Sequence, residues 1–332
     1  MANFVMSATQ RLAFDAVNGS AERSKEDLNK AIREAVLDAC GGEWNYYKFN
    51  HNKNLVFAII AELMPAAMNA SLAAKFDAFA EFKDVAMGDK PYFDVHDRTV
   101  YPVYTVARGV GVPDRQRIVD SNFTVATEMK MVKIYDEFDR FMAGKIDMGR
   151  IVEVATKAFE NHVGLLIATA IYDSYASVGT NYKNSGSFSA SSFATIMEHV
   201  KAANGVDNLQ IWGTLTALAN VTDATAFGYS DSAKDKANGV GYWGEFRGAS
   251  LFSLPQAYLP QSQTFGVSDN QLIVVPAGDS KLVKVVFEGD TLVDSKDGLA
   301  RADLQPEFLF GRRVGVAALT VPEGKYGFWK FA

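Results

Sequence analysis

The sequence predicts an α+β protein. Three observations carry that expectation: a long helical repeat near the middle of the chain, alternating short strand and helix signals after it, and two apolar helical stretches near the start. At 332 residues the chain suits two domains, with a core that removes roughly three quarters of the unfolded surface from water. Hydrophobic residues at 48% and charged residues at 22% exclude wholesale disorder, a collagen-like repeat and a disulfide scaffold.

Ser24 opens a capping box with Asp27, and Leu28, Ile32, Ala35 and Ala39 repeat at helical spacing until the Gly41-Gly42 stop, which predicts one amphipathic helix. A second helix follows from Leu55 to about Phe82, kinked or broken near Pro65. Leu55 to Ala74 is apolar over a length that could span a bilayer. Glu62, Pro65 and Asn69 lie inside it, however, and an ionised carboxylate at mid-membrane costs about 3 kcal/mol, so the segment reads as a packing helix and no membrane is expected as a partner. No strand pair is visible in the first 85 residues.

Strand character begins at Val100 to Ala107 and returns at Phe123 to Tyr135, where Phe123, Val125, Thr127, Met129 and Met131 repeat with period two. Gly109 to Asp114 supplies turn residues between them, and the pair predicts a long hairpin. Its tip region carries Arg108, Asp114, Arg115, Arg117 and Asp120, too many charges to bury within a monomer. The hairpin is expected to project, with these five residues at a contact with a neighbouring molecule.

From Asp147 to about Ser177, Val152, Ala155, Phe159, Val163, Leu166 or Ile167, Ala170 or Ile171, and Ser174 or Tyr175 trace one face of a helix. About thirty residues at 1.5 Å each make a rod of roughly 45 Å. A polar loop through Thr180 to Ser192 leads to a further helix at about Ser191 to Ala203. Strands then fall at Leu209–Gly213, Gly248–Leu254, Gln271–Pro276 and Lys281–Glu288, with a short helix at Leu215–Val221. Arg313–Thr320 and Tyr326–Phe331, separated by Pro322-Glu323-Gly324, predict a terminal hairpin.

The chemistry-bearing residues are sparse. With 33 basic and 39 acidic side chains the net charge is -6, so the overall field repels nucleic-acid phosphates and argues against sequence-specific DNA binding. Cys40 is the single cysteine and excludes an intramolecular disulfide and any multi-cysteine metal site. Met1 to Gln10 lacks the basic and apolar signature of a secretory signal. His51, His96, His162 and His199 are scattered, and His162 reads as a helix-packing histidine. Asp94, His96 and Asp97 lack a metal-binding spacing, Gly109-Val110-Gly111 lacks the context of a dinucleotide loop, and Asp294, Asp297 and Gly298 lack the register of a calcium loop. Arg312-Arg313 reads as a charge pair at a sheet edge. No catalytic, cofactor-binding or metal residue is assigned, and an enzyme is not expected.

Ile211-Trp212-Gly213-Thr214-Leu215-Thr216-Ala217-Leu218, Tyr242-Trp243-Gly244-Glu245-Phe246-Arg247-Gly248 and Leu254-Pro255-Gln256-Ala257 follow one another in the last third of the chain. Asn270-Gln271-Leu272-Ile273-Val274-Val275-Pro276, Lys284-Val285-Val286-Phe287-Glu288-Gly289-Asp290, Phe310-Gly311-Arg312-Arg313-Val314-Gly315-Val316 and Lys325-Tyr326-Gly327-Phe328-Trp329-Lys330 complete the series. In that order the strings resemble the major capsid proteins of tailed bacteriophages with the Hong Kong 97-type fold. The resemblance implies an N-terminal arm at 1–85, and a peripheral domain at 86–187 and 301–332. That domain would carry an extended loop at about 92–127 and a spine helix at about 147–177, with an axial domain at 188–300. It further implies self-assembly as pentamers and hexamers into an icosahedral shell that encloses double-stranded DNA, in the virion, after assembly in the cytoplasm of a bacterial host. Lys90 precedes the loop that some members crosslink, and no crosslink is assigned to it. The N terminus is too short for a large cleaved scaffolding segment, so a separate scaffolding protein and a portal are the expected partners. An encapsulin-like compartment shell is the alternative of the same fold, and an α+β enzyme with an unrecognised site the remote one.

Overall fold

Asn45 accepts a hydrogen bond from the Tyr47 amide at 2.9 Å and so caps the first long helix, α1 (Tyr46–Phe76). This computed structural model describes residues 34, 37–38, 41–43, 45–77, 80–95, 101–105, 114–117, 121–135, 148–221, 241–242, 244–277, 281–296, 307–319 and 326–331. The helix expected from Ser24 therefore lies almost wholly outside the described residues. Its stop is visible: Gly42 donates to the Leu37 carbonyl and Gly41 to that of Asp38, with φ of +81° and +86°, a paired left-handed cap that glycine enters without steric cost.

Two compact units divide the chain. One draws on Met1–Asp89, Ala126–Ile167 and Lys284–Val316, the other on Lys90–Val125, Ala168–Val283 and Ala317–Ala332.

In the first unit α1 runs through Pro65 without a break. An interior proline costs about 3 kcal/mol, and the buried stripe Phe49, Val56, Phe57, Met64, Met68, Leu72 and Phe76 outweighs it. The helix also ends earlier than expected, at Phe76, and the chain enters a strand, β1 (Ala80–Val85), that the sequence did not signal. The strands β4 (Glu128–Tyr135), β10 (Val283–Lys296) and β11 (Glu307–Ala318) join it in a four-stranded sheet ordered β1-β10-β11-β4. β4 and β11 are antiparallel, from Glu307 opposite Tyr135 to Val314 opposite Glu128.

Helix α2 (Met148–Asp173) is the expected spine, about 39 Å long, prolonged by a 3-10 turn at Ser174–Ala176. Ala155, Phe159, Val163, Ile167, Ile171 and Ser174 are its buried face, so of the paired alternatives the inward residues are Ile167, Ile171 and Ser174. Its residues to Ile167 belong to the first unit and those from Ala168 to the second.

The second unit holds the two-stranded pair β2 (Tyr92–Val95) and β3 (Ser121–Thr124) and a six-stranded sheet ordered β5-β12-β9-β6-β8-β7. Its strands are β5 (Lys183–Ser185), β6 (Leu209–Gly213), β7 (Glu245–Phe246), β8 (Ala249–Ser253), β9 (Gln271–Pro276) and β12 (Gly327–Lys330). β6 runs parallel to β8, and β12 parallel to β5; both run antiparallel to β9. α3 (Ala190–Asn204), capped by Ser189, and the short α4 (Leu215–Ala219), capped by Thr214, cover an apolar core. Within it Phe188, Phe193, Phe246 and Trp329 form a ring cluster with centroids 5.5 to 6.0 Å apart.

Two expected hairpins are corrected. Residues 101–105 form no strand and 128–135 pair with β11, so the ladder at the hairpin's base is β2 with β3. Pro102 removes a ladder donor, and Val103 at 97% exposure has nothing among the described residues to bury against. At the C terminus β11 and β12 enter different sheets. An isolated hairpin could not bury Phe328 and Trp329, both almost fully enclosed beside β9.

The contact of β12 with α3 leaves no space for a side chain at Gly327. A Cβ there would lie 2.5 Å from Ile196 Cγ2 and 3.1 Å from Val200 Cγ2. Gly327→Ala is expected to destabilise the subunit by about 1 to 3 kcal/mol in urea unfolding, and unchanged stability would contradict this packing.

Candidate assembly surfaces

The extended segment leaves β2 and returns at β3, with Val95 opposite Ser121 as the last paired residues. Beyond that pair, side chains take over from the ladder. The Tyr101 hydroxyl donates to the Arg117 carbonyl at 3.0 Å, and Gln116 Nε2 donates to the Pro102 carbonyl at 3.2 Å. These bonds hold residues 101–102 beside 116–117. Asp114, Arg115 and Arg117 are all exposed on this limb, together with Val103 and Tyr104. Arg108 and Asp120 lie outside the described residues. Apolar and charged groups thus share a surface that no other described residue covers.

A second group of charges lies within the four-stranded sheet, and sequence reasoning missed it. Arg312 is buried on β11, an interior strand, so the expectation of a sheet-edge pair is corrected. Alternation along the strand puts Arg312 on the face of Phe308, Phe310 and Val314, a signal present in the sequence. Its guanidinium donates to Asp84 Oδ1 at 2.8 Å and to Asn69 Oδ1 at 3.1 Å, and Asn69 Nδ2 donates to Asp84 Oδ2 at 2.8 Å. The same group lies 4.3 Å from the Phe287 ring centroid. Burial draws its pKa down, and the Asp84 carboxylate opposes that shift.

The buried Lys284 donates to Glu81 on β1. Burial alone would raise the Glu81 pKa, but Lys284 and Lys83 together hold it below the ordinary value. Glu288 on β10 accepts from the Thr127 hydroxyl, from the Gly88 amide at 2.9 Å and from Arg313 Nη1 at 3.4 Å. The bonds from Thr127 and Gly88 lower its pKa most, and Arg313 adds to them.

The remaining candidates are dispersed. His162 on α2 is half-buried, its Nε2 has no hydrogen-bond partner among the described residues, and burial and then Lys130 lower its pKa. This suits a packing histidine. His199 meets the Tyr182 ring edge-on at 5.8 Å, His51 is exposed on α1, and Asp94 is exposed on β2. Asp294 lies in β10, while His96, Asp97, Asp297 and Gly298 lie outside the described residues. Among the described residues no cluster of three or more His, Cys, Asp or Glu side chains could hold a metal ion, and no helix is long and apolar enough to cross a membrane.

Residues 6–321 match the family model described as "SPbeta prophage-derived putative capsid protein YonB". The chain belongs to this family of phage capsid proteins. Among solved structures, Microbacterium phage Oxtober96 is similar with a TM-score of 0.50 and 14% identity, covering 78% of this chain and 91% of its own. The capsid of Cyanophage P-SCSP1u is similar with a TM-score of 0.51 and 12% identity, covering 77% and 88%. At these identities the likeness concerns the fold, which is the expected α+β, Hong Kong 97-type. No match was found among curated proteins. The capsid protein is a structural component of the virion, not an enzyme.

The depressed pKa values of His162, Glu81 and Glu288 give acid sensitivity in two stages. In each case the unfolded chain binds more protons than the folded one, so stability falls as the pH falls. The His162 contribution is lost as pH drops below about 6.5, and the carboxylate contributions below about 4.3. Urea unfolding of unassembled capsid protein across this range is expected to show both stages. His162→Gln removes the first and Glu288→Gln weakens the second. Stability that rises on acidification would reverse the assigned signs.

Proposed function

We propose that this capsid protein builds the icosahedral head shell of a tailed bacteriophage, as pentamers and hexamers of itself around double-stranded DNA. The observation that carries the reading is the limb at 101–105 and 114–117, where Val103 is 97% exposed beside Tyr104, Asp114, Arg115 and Arg117. A monomer gains nothing from such a limb, whereas a neighbouring subunit can bury its apolar residues and pair its charges. Arg108, Asp114, Arg115, Arg117 and Asp120 are the proposed contact residues.

The charge distribution supports a container that releases its DNA. Lys48, Lys75, Lys130, Lys133 and Lys157 each have a carboxylate of the same chain within 4.0 Å, which weakens their attraction for phosphate. The phage-derived family favours the virion over an encapsulin-like compartment. A separate scaffolding protein and a portal complete the proposed set of partners, and assembly takes place in the cytoplasm of a bacterial host. The arm, peripheral domain and axial domain are proposed at 1–85, at 86–187 with 301–332, and at 188–300, except for β1 and β10, which pair in the four-stranded sheet with β4 and β11, and for β5 and β12, which pair in the six-stranded sheet.

Reversing the limb's charge tests the contact. The variant with both Arg115→Glu and Arg117→Glu is expected to keep its stability within about 0.5 kcal/mol, because both side chains are exposed. Many copies of one modest contact act together in a closed shell, so electron microscopy is expected to show no closed particles. Ordinary shells from this variant would remove the limb from the assembly contact.

A further inference from the structure

Residues 86–89 and 125–127 flank the extended segment and lie beyond the ladders, since β1 ends at Val85 and β4 begins at Glu128. One carboxylate bonds to both roots. Glu288 Oε1 accepts the Gly88 amide of the outgoing chain at 2.9 Å, and Oε2 accepts the Thr127 hydroxyl of the returning chain. Arg313 on the neighbouring strand faces Oε1 at 3.4 Å and holds the acceptor in place. We propose that Glu288 is the positioning residue of the extended segment, a clamp that fixes where the segment leaves the sheet and where it returns.

The local backbone fits this role. Asp89 donates to the Ala86 carbonyl at 3.1 Å to close a turn, and Gly88 has φ of +92°, which aims its amide at the carboxylate. Met87 of the same turn packs against Gly289, where a Cβ would lie 3.3 Å from Met87 Cβ and Cε. The outgoing root is therefore fixed by a hydrogen bond and an apolar contact on adjacent residues of β10. Glu288 itself is 6% exposed, so water competes poorly for its oxygens.

A carboxylate suits the position better than an amide would. Its two oxygens accept from three donors on three stretches of chain, and its charge matches Arg313. Glutamine would offer one oxygen and one amino group, so Thr127 would have to turn and accept, and the ion pair with Arg313 would be lost. The bonds are local to the roots, yet their consequence falls on the whole segment from Lys90 to Val125. The consequence for assembly rests on the reading of that segment as a contact between subunits.

The test uses full-length, unassembled subunits of Glu288→Ala, Thr127→Val and Thr127→Ser. Hydrogen exchange at 86–95 and 121–127 is expected to quicken about tenfold in the first two, with α2 and β9 unchanged, and to return to the wild-type rate in Thr127→Ser, which restores the hydroxyl. Assembly reactions of Glu288→Ala and Thr127→Val are expected to yield about tenfold fewer closed particles, or particles of irregular size. Wild-type exchange at the roots of Thr127→Val overturns the clamp, and this variant decides the matter if Glu288→Ala does not fold. Faster exchange with ordinary shells supports the clamp and overturns the assembly role of the segment instead.

Discussion

Arg312 brings a guanidinium to the buried face of β11, and a buried cation is tolerated only where several elements supply its partners together. Asn69 comes from α1, Asp84 from β1 and the ring of Phe287 from β10. Arg312 Nε has no partner among the described residues, so the two Nη bonds and the ring must offset the burial. A desolvated cation over an aromatic face is worth about 2 kcal/mol, comparable with one good charged hydrogen bond. The arrangement therefore persists only while helix, edge strand and central strands keep their mutual register. Lysine could not bond to both Asn69 and Asp84 and also stack on Phe287, since the match depends on a planar fork.

That register determines where β1 ends. Glu81 and Asp84 tie the strand to Lys284 on β10 and Arg312 on β11, and the chain emerges from Val85 directly into the turn held by Glu288. Ala80 is the single fully buried residue of β1, and half-buried Phe82 adds a stack on Phe287 with centroids 6.4 Å apart, so the charge pairs carry much of its attachment. Charge pairing thus does for β1 what aromatic burial does for β12, where Phe328 and Trp329 hold the strand between β5 and β9. The two sheets illustrate two ways of securing a strand, one directional and one proportional to area.

Long elements with a single period were legible in the sequence. The spine helix, α3, β6 and β9 fall within a few residues of their expected bounds, because each carries a strong apolar repeat between clear stop signals. Strand partners were not legible. Period-two alternation shows which face is buried, but not which strand lies alongside, so 128–135 and 327–330 were paired with their sequence neighbours instead of with β11 and with β5 and β9. β1 escaped notice because its alternating charges look solvated until Lys284 and Arg312 appear opposite them. Of the limb residues, Asp114, Arg115 and Arg117 are exposed as expected, and the hydrogen bonds from Tyr101 and Gln116 that shape the limb had no local signature.

A shell subunit has to reconcile a fold that is stable alone with surfaces that gain partners only in the assembly. With the limb as the proposed contact, the two demands fall on different residues. The sheet and its charge pairs are satisfied within the chain, so the extended segment can carry exposed Val103, Tyr104 and charged side chains without placing the core at risk. Separation alone is not sufficient, because a limb free to wander would lose conformational entropy on docking and weaken each contact accordingly. Root bonds, the β2–β3 ladder and the bonds from Tyr101 and Gln116 meet part of that entropy cost before any neighbour arrives. Preorganisation of this kind strengthens each proposed contact, and the number of equivalent contacts in a closed shell multiplies the gain.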